Sequence, residues 1–217
     1  MLALLALAAL GVDMPLARLV DSSDGPGDLE RLVRLSEVFG YGGTVIVIIL
    51  IACVLDPRGW RVAPRLVTSA LGAGLVADLV KLLLVVRTRP EVANLDGSAG
   101  GTFVSWFPLW ADDRLRELGL KYSSDLQSFP SAHTATAVGL AVGLTSLYPR
   151  GWWLFAVLAA LAGSQRIHSQ SHFLSDVLAG AAIGLLLGAC CTSATRLGRW
   201  LAAIESGGSR LPLAPPA

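Results

Sequence analysis

The chain has 217 residues, of which 53% are hydrophobic and only 15% charged, with a net charge of +1 and a mean hydropathy of +0.62. A soluble domain carries about 25% charged residues, so the deficit points to a membrane protein. The near-neutral balance gives no long-range field for nucleic acid and argues against it as a partner.

The first apolar run, MLALLALAALG, is too short to span a bilayer alone. Extended to Val20 it becomes a spanning helix that carries Asp13 and Arg18 near its outer end. A signal peptide is the rival reading, and the missing basic n-region counts against it. Five further spans follow at about 41–56, 66–88, 131–148, 151–168 and 173–195. The expected fold is therefore all-α, a multi-pass transmembrane helical bundle of six spans. Cys53, Cys190 and Cys191 all lie in apolar runs and read as small buried hydrophobes. The expected domain covers 1–200, with the tail 201–217, ending ESGGSRLPLAPPA, disordered.

Arg58, Arg61, Arg65, Arg150, Arg196 and Arg199 fall between or after spans on one side, which the positive-inside rule makes cytoplasmic. The opposite segment, 21–38, holds Asp21, Asp24, Asp28, Glu30 and Glu37 beside Arg31 and Arg34. Several basic residues around 87–122 run against the rule and need another explanation. The loop 90–130 contains TFVSWFPLWADD, either an interfacial aromatic belt or a lid resting on the lipid surface.

Three clusters place ionisable groups in or at the ends of apolar spans, where their cost marks them as functional candidates. KLLLVVRTRP holds Lys81, Arg87, Arg89 and Pro90; snorkelling anchors are the bland alternative, strongest for Arg87. Asp78 stands three residues before Lys81, within pairing distance on a helix. SFPSAHTATA holds Ser128, Pro130, Ser131, Ala132 and His133 and opens a helix whose free first-turn amides suit an anion. RIHSQSHFLSD holds Arg166, His168, His172 and Asp176. His172 and Asp176 are four apart, so on a helix the carboxylate would hold one imidazole nitrogen and leave the other free. Span parity brings all three clusters to the same membrane face. Cations, helix-start amides and histidines together are what a phosphoryl group needs.

These residues resemble the type-2 phosphatidic-acid-phosphatase signature, K-x6-R-P, P-S-G-H and S-R-x5-H-x3-D, which vanadium haloperoxidases share. The resemblance covers roughly residues 65–190. Its third motif fits closely, with five residues between Arg166 and His172 and three between His172 and Asp176. Three positions depart from it: seven residues rather than six separate Lys81 from Arg89, Ala132 replaces Gly, and Gln165 replaces Ser. Seven helical steps return nearly to one face and eight do not, so the chain must leave the helix before Arg89 or Lys81 is not a ligand.

The resemblance implies roles residue by residue. His172 is the nucleophile, Asp176 orients it, and His133 is the acid and base. Lys81, Arg89, Arg166, Ser131 and the Ala132 amide hold the phosphate, with neither metal nor cofactor. It implies a hydrolase acting on a lipid phosphomonoester or pyrophosphate in the bilayer through a phosphohistidine. Undecaprenyl pyrophosphate, phosphatidylglycerol phosphate and phosphatidic acid are candidates. The implied location is the inner membrane with the site on its outer side. The competing readings are a lipid phosphotransferase with the same site, an inactive lipid-binding or transport protein, and a zinc site on His133, His168, His172 and Asp176. The surrounding arginines oppose a bound cation.

Overall fold

The computed structural model describes residues 2–22, 31, 33–107 and 123–207. The parts of the acidic segment, the aromatic loop and the tail at 23–30, 32, 108–122 and 208–217 lie outside the described residues. Eight helices carry the described fold: α1 Leu2–Ala9, α2 Asp13–Asp21, α3 Gly42–Leu55, α4 Ala63–Leu83, α5 Ala132–Leu147, α6 Trp152–His168, α7 Leu174–Thr192 and α8 Arg196–Glu205.

The centre is a trio, α4, α5 and α7, with α6 against α5, α3 against α4 and α1 against α7. Small residues let these backbones touch. A Cβ added at Gly180 of α7 would sit 2.3 Å from the Ser131 carbonyl oxygen, and one at Gly139 of α5 would sit 1.9 Å from that of Ser69. Close approach of this kind replaces the hydrophobic drive that lipid cannot supply between helices. The outward faces stay apolar, with Leu4, Val54 and Leu186 at 70, 77 and 68% exposure, a surface that lipid would cover.

The helices vary more in length than the six spans expected from hydropathy. Among the described residues two stretches are long and apolar enough to cross a membrane, Gly59–Leu83 and Leu174–Thr192. A third arises if Val33–Phe39 and Gly42–Leu55, bent by 63°, count as one span. The first run breaks between Ala9 and Asp13, because the Asp13 carboxylate is drawn into the protein interior. The helix expected over 66–88 stops at Leu83. Val85–Arg87 instead forms strand β1, antiparallel to β2, Phe103–Trp106, with Val86 opposite Ser105. β-branched residues suit that extended conformation, and the regular structure of the described residues is thus helical apart from one two-stranded ribbon.

The far end is tied by two buried charged groups. Arg65 Nε meets Glu205 Oε1 at 2.5 Å, and its Nη1 donates to the Cys191 carbonyl. This fastens α8, which ends at Glu205, beneath α4 and α7. Asp56 accepts both arms of Arg58 at 2.9 Å and the Tyr148 hydroxyl at 2.9 Å, joining the ends of α3 and α5.

Candidate active site

Four chain segments meet at the other end of the trio: the end of α4 with β1, the start of α5, the end of α6 and the start of α7. After α6, the amides of Ser171 and His172 both donate to the Arg166 carbonyl, at 3.2 and 3.1 Å. That turn, with Gln170 at φ 54°, swings His172 inward to 4% exposure. Nδ1 of His172 donates to the Ser128 carbonyl at 2.6 Å, which fixes the tautomer and leaves Nε2 with its lone pair.

Asp176 does not make the direct bond to His172 expected from their spacing. Its Oδ2 is 3.9 Å from Nδ1, where it acts by charge rather than as a hydrogen-bond acceptor. Only a helix through both residues would put them on one face, but Phe173 is the N-cap of α7 and His172 precedes it. Ser128 stands between them: its hydroxyl donates to Asp176 Oδ2 at 2.6 Å while its carbonyl holds His172. Asp176 Oδ2 also accepts the Phe173 amide at 2.8 Å, and Oδ1 accepts Nη1 of Arg87.

Arg87 was the residue of its cluster with the strongest claim to be an anchor. It is instead fully buried, with its guanidinium 4.5 Å from the centre of the Phe103 ring and 4.3 Å from that of Phe173. It donates to Thr102 Oγ1 at 2.9 Å, Ser175 Oγ at 2.7 Å and Asp13 Oδ2 at 2.7 Å. Asp13, Arg87 and Ser175 escaped sequence reasoning as site residues, and Ser128 was seen only as part of a motif. One signal was available: a carboxylate within an apolar run of near-spanning length requires a partner.

The residues expected to hold phosphate lie at helix ends. Ser131 caps α5, accepting the Thr134 amide at 3.3 Å, while its own amide donates to the Asp176 carbonyl at 3.0 Å and draws α5 to α7. Ala132 and His133 follow in the first turn of α5. Lys81 is buried near the end of α4, its Nζ 3.4 Å from Asp78 Oδ1, the pairing their spacing suggested. The extra residue before Arg89 is absorbed where helix gives way to β1, so helical phase no longer decides whether both cations face the site. Arg89 Nε is buried without a hydrogen-bond partner among the described residues. Arg166 donates to Glu37 Oε1 at 3.0 Å and to Gln165 Oε1 at 2.5 Å. His133 Nε2 lies 3.1 Å from the Glu37 carbonyl oxygen. Glu37 therefore occupies both groups and is a further site residue that the sequence did not reveal.

Burial pushes the His172 imidazole below its ordinary pKa; Asp176 opposes that shift, and the charges of Lys81 and Arg89 reinforce it. The charge of Arg166 and the imidazole of His172 both act on His133. The structure thus assembles Lys81, Arg89, Ser131, Ala132, His133, Arg166, His172 and Asp176 around one end of the bundle. His168, at the last position of α6, joins no metal-binding group, and none of three or more His, Cys, Asp or Glu forms among the described residues.

A helical bundle with imidazoles and guanidinium groups gathered at converging helix ends has the form of a phosphoryl-transfer site. Residues 63–200 match the model of the PAP2 superfamily, more than half of the chain, and the chain belongs to that family. It is 27% identical over 195 residues to the lipid A 1-phosphatase of Rhizobium etli, covering 82% of this chain and 75% of that protein. It is 38% identical over 78 residues to the lipid A 1-phosphatase of Porphyromonas gingivalis, a match covering 34% of this chain and 16% of that one. The fold resembles the crystal structure of a transmembrane PAP2-type phosphatidylglycerolphosphate phosphatase from Bacillus subtilis, with a TM-score of 0.55, 19% identity and 97% of each chain covered.

Proposed function

We propose that this protein is an integral membrane phosphatase that hydrolyses a lipid phosphomonoester or pyrophosphate through a phosphohistidine. The observation that carries the reading is the His172 ring, its Nδ1–H committed to the Ser128 carbonyl and its Nε2 left free. Nε2 attacks phosphorus, the bond to the lipid oxygen breaks, and His133 protonates the departing oxygen. His133 then takes a proton from the water that cleaves the N–P bond, releasing phosphate and restoring His172. Lys81, Arg89, Arg166, Ser131 and the Ala132 amide hold the equatorial oxygens, the task metal ions perform elsewhere. A phosphate bound to Arg166 competes with Glu37 for its Nη2.

The site faces the outer side of the inner membrane in this reading, because the basic residues of the connections gather at the opposite end of the trio. Lipid A 1-phosphate joins undecaprenyl pyrophosphate, phosphatidylglycerol phosphate and phosphatidic acid as candidate substrates, on the strength of the Rhizobium etli relative. The test is phosphate release from those four lipids by the purified protein in detergent with a chelator present. Release from at least one, abolished in a folded His172→Ala variant, supports the reading. No release from any of them, or an active His172→Ala, overturns it.

A further inference from the structure

Asp13 takes no part in the proposed chemistry, yet it is as enclosed as the nucleophile, at 1% exposure. Its Oδ1 accepts the Ser175 amide at 2.9 Å; its Oδ2 accepts the Ser175 hydroxyl at 2.5 Å and Nη2 of Arg87 at 2.7 Å. The other terminal nitrogen of Arg87 is bonded to Asp176. Asp13, Arg87 and Asp176 are thus one buried cluster, two carboxylates sharing one guanidinium, with a net negative charge.

Such a charge is costly in a low-dielectric interior unless a cation lies nearby. If Arg87 paired with Asp176 alone, the two would cancel and His172 would stand over a neutral pair. Asp13 engages Arg87 from the opposite side, and the excess remains next to His172, whose Nδ1 lies 3.9 Å from Asp176 Oδ2. Among the described residues, Lys81, Arg89 and His133 also act on His172 or exchange influence with it. The two cations are balanced by phosphate oxygens once substrate is bound.

We infer that Asp13 is a positioning residue: by binding Arg87 it leaves Asp176 with a surplus negative charge that stabilises the His172 imidazolium in the phosphohistidine step. When Nε2 bonds to phosphorus, the P–O electron pair leaves with the lipid oxygen, which is protonated by His133. Nδ1–H stays on the Ser128 carbonyl, so the ring becomes positive. The positive ring and the negative cluster beneath it then sum to neutral, as a preorganised counter-charge should provide. This inference rests on the phosphatase reading above and gives the N-terminal segment a part in the chemistry.

The test compares the full-length parent, Asp13→Asn, Arg87→Gln and the double variant Asp13→Asn/Arg87→Gln on a lipid that the parent hydrolyses. Asp13→Asn is expected to lower kcat on the order of 10- to 100-fold with KM changed by less than about threefold. Single-turnover labelling of the enzyme should slow in parallel. The double variant restores the single surplus charge on Asp176, and its kcat should exceed that of Asp13→Asn. An anchoring role alone predicts the reverse: a raised KM with kcat retained, or a double variant no faster than the single, and either overturns the inference. If Asp13→Asn fails to fold, the double variant decides, with kcat within about tenfold of the parent supporting the inference and a larger loss overturning it. A parent inactive on every lipid sinks the phosphatase reading instead, whereas an active parent with an unaffected Asp13→Asn sinks only this inference.

Discussion

At the scale of single residues, the imidazole and the cations do different work and should fail differently. Arg166 offers a planar guanidinium that can grip phosphate with two parallel bonds. Lys81 is a point charge already shared with Asp78. Arg166→Ala is expected to lower kcat/KM about 100-fold and Lys81→Ala about tenfold, measured by phosphate release. The reverse order would make Lys81 the principal phosphate ligand. The pH profile separates the two histidines from the cations. His172 is held below its usual pKa by burial, so it stays neutral and nucleophilic as the pH falls through about 6.5, where a free imidazole takes up a proton. The acid limb of log kcat/KM, measured on the parent protein, should therefore lie below pH 6.5. The proposed nucleophile, its proposed acid–base partner and the arginines are legible in the sequence as candidates, because each is a costly group at the end of an apolar run. The partner of His172 was not legible: a backbone carbonyl 44 residues away leaves no mark in composition or spacing.

At the scale of elements, helix ends decide what meets what. Ser131 and Asp176 join the starts of α5 and α7, and the glycines of α7 allow the approach. At the far end, Asp56 and Tyr148 join α3 to α5. Arg58, by donating to it, holds the Asp56 carboxyl well below the usual carboxylate range, and burial with the Asp56 bond pushes the Tyr148 hydroxyl up to about 12. A carboxyl whose folded pKa is depressed contributes stability above its unfolded pKa of about 3.9 and loses it as pH falls towards the folded value. Tyr148→Phe removes a bond to a buried charge and should cost about 1.5–3 kcal/mol at neutral pH. That cost should persist below about pH 4 and shrink only as the pH approaches the depressed folded pKa of Asp56, read as the difference in Tm against pH in detergent, with kcat unchanged because the tie lies at the end away from the site. The start and type of α3, α5, α6 and α7 were readable from apolar runs and their caps. The end of α4 was not, since hydropathy cannot distinguish a buried strand from the last turns of an apolar helix.

At the scale of the whole molecule, the bundle is polar at two ends of opposite character. One end gathers the proposed phosphate ligands; the other carries Arg58, Arg61, Arg150, Arg196 and Arg199 at the connections and helix ends. The distribution predicts that a reporter fused after Glu205 lies on the cytoplasmic side, shown by fluorescence of a fusion that matures only there. A silent fusion beside a well-expressed chain would reverse the proposed orientation of the site.

The sequence by itself determined the membrane class, the family resemblance and the candidate residues carried by its three motifs. Those depend on local facts: the length of apolar runs, the cost of charge within them and fixed short spacings. Only the tertiary structure decided that Ser128 stands between Asp176 and His172, that Glu37 holds Arg166 and His133, and that Asp13 reaches Arg87 across 74 residues. Buried polar groups must find partners wherever the packing puts them, and that packing is set by helix contacts spread over the whole chain.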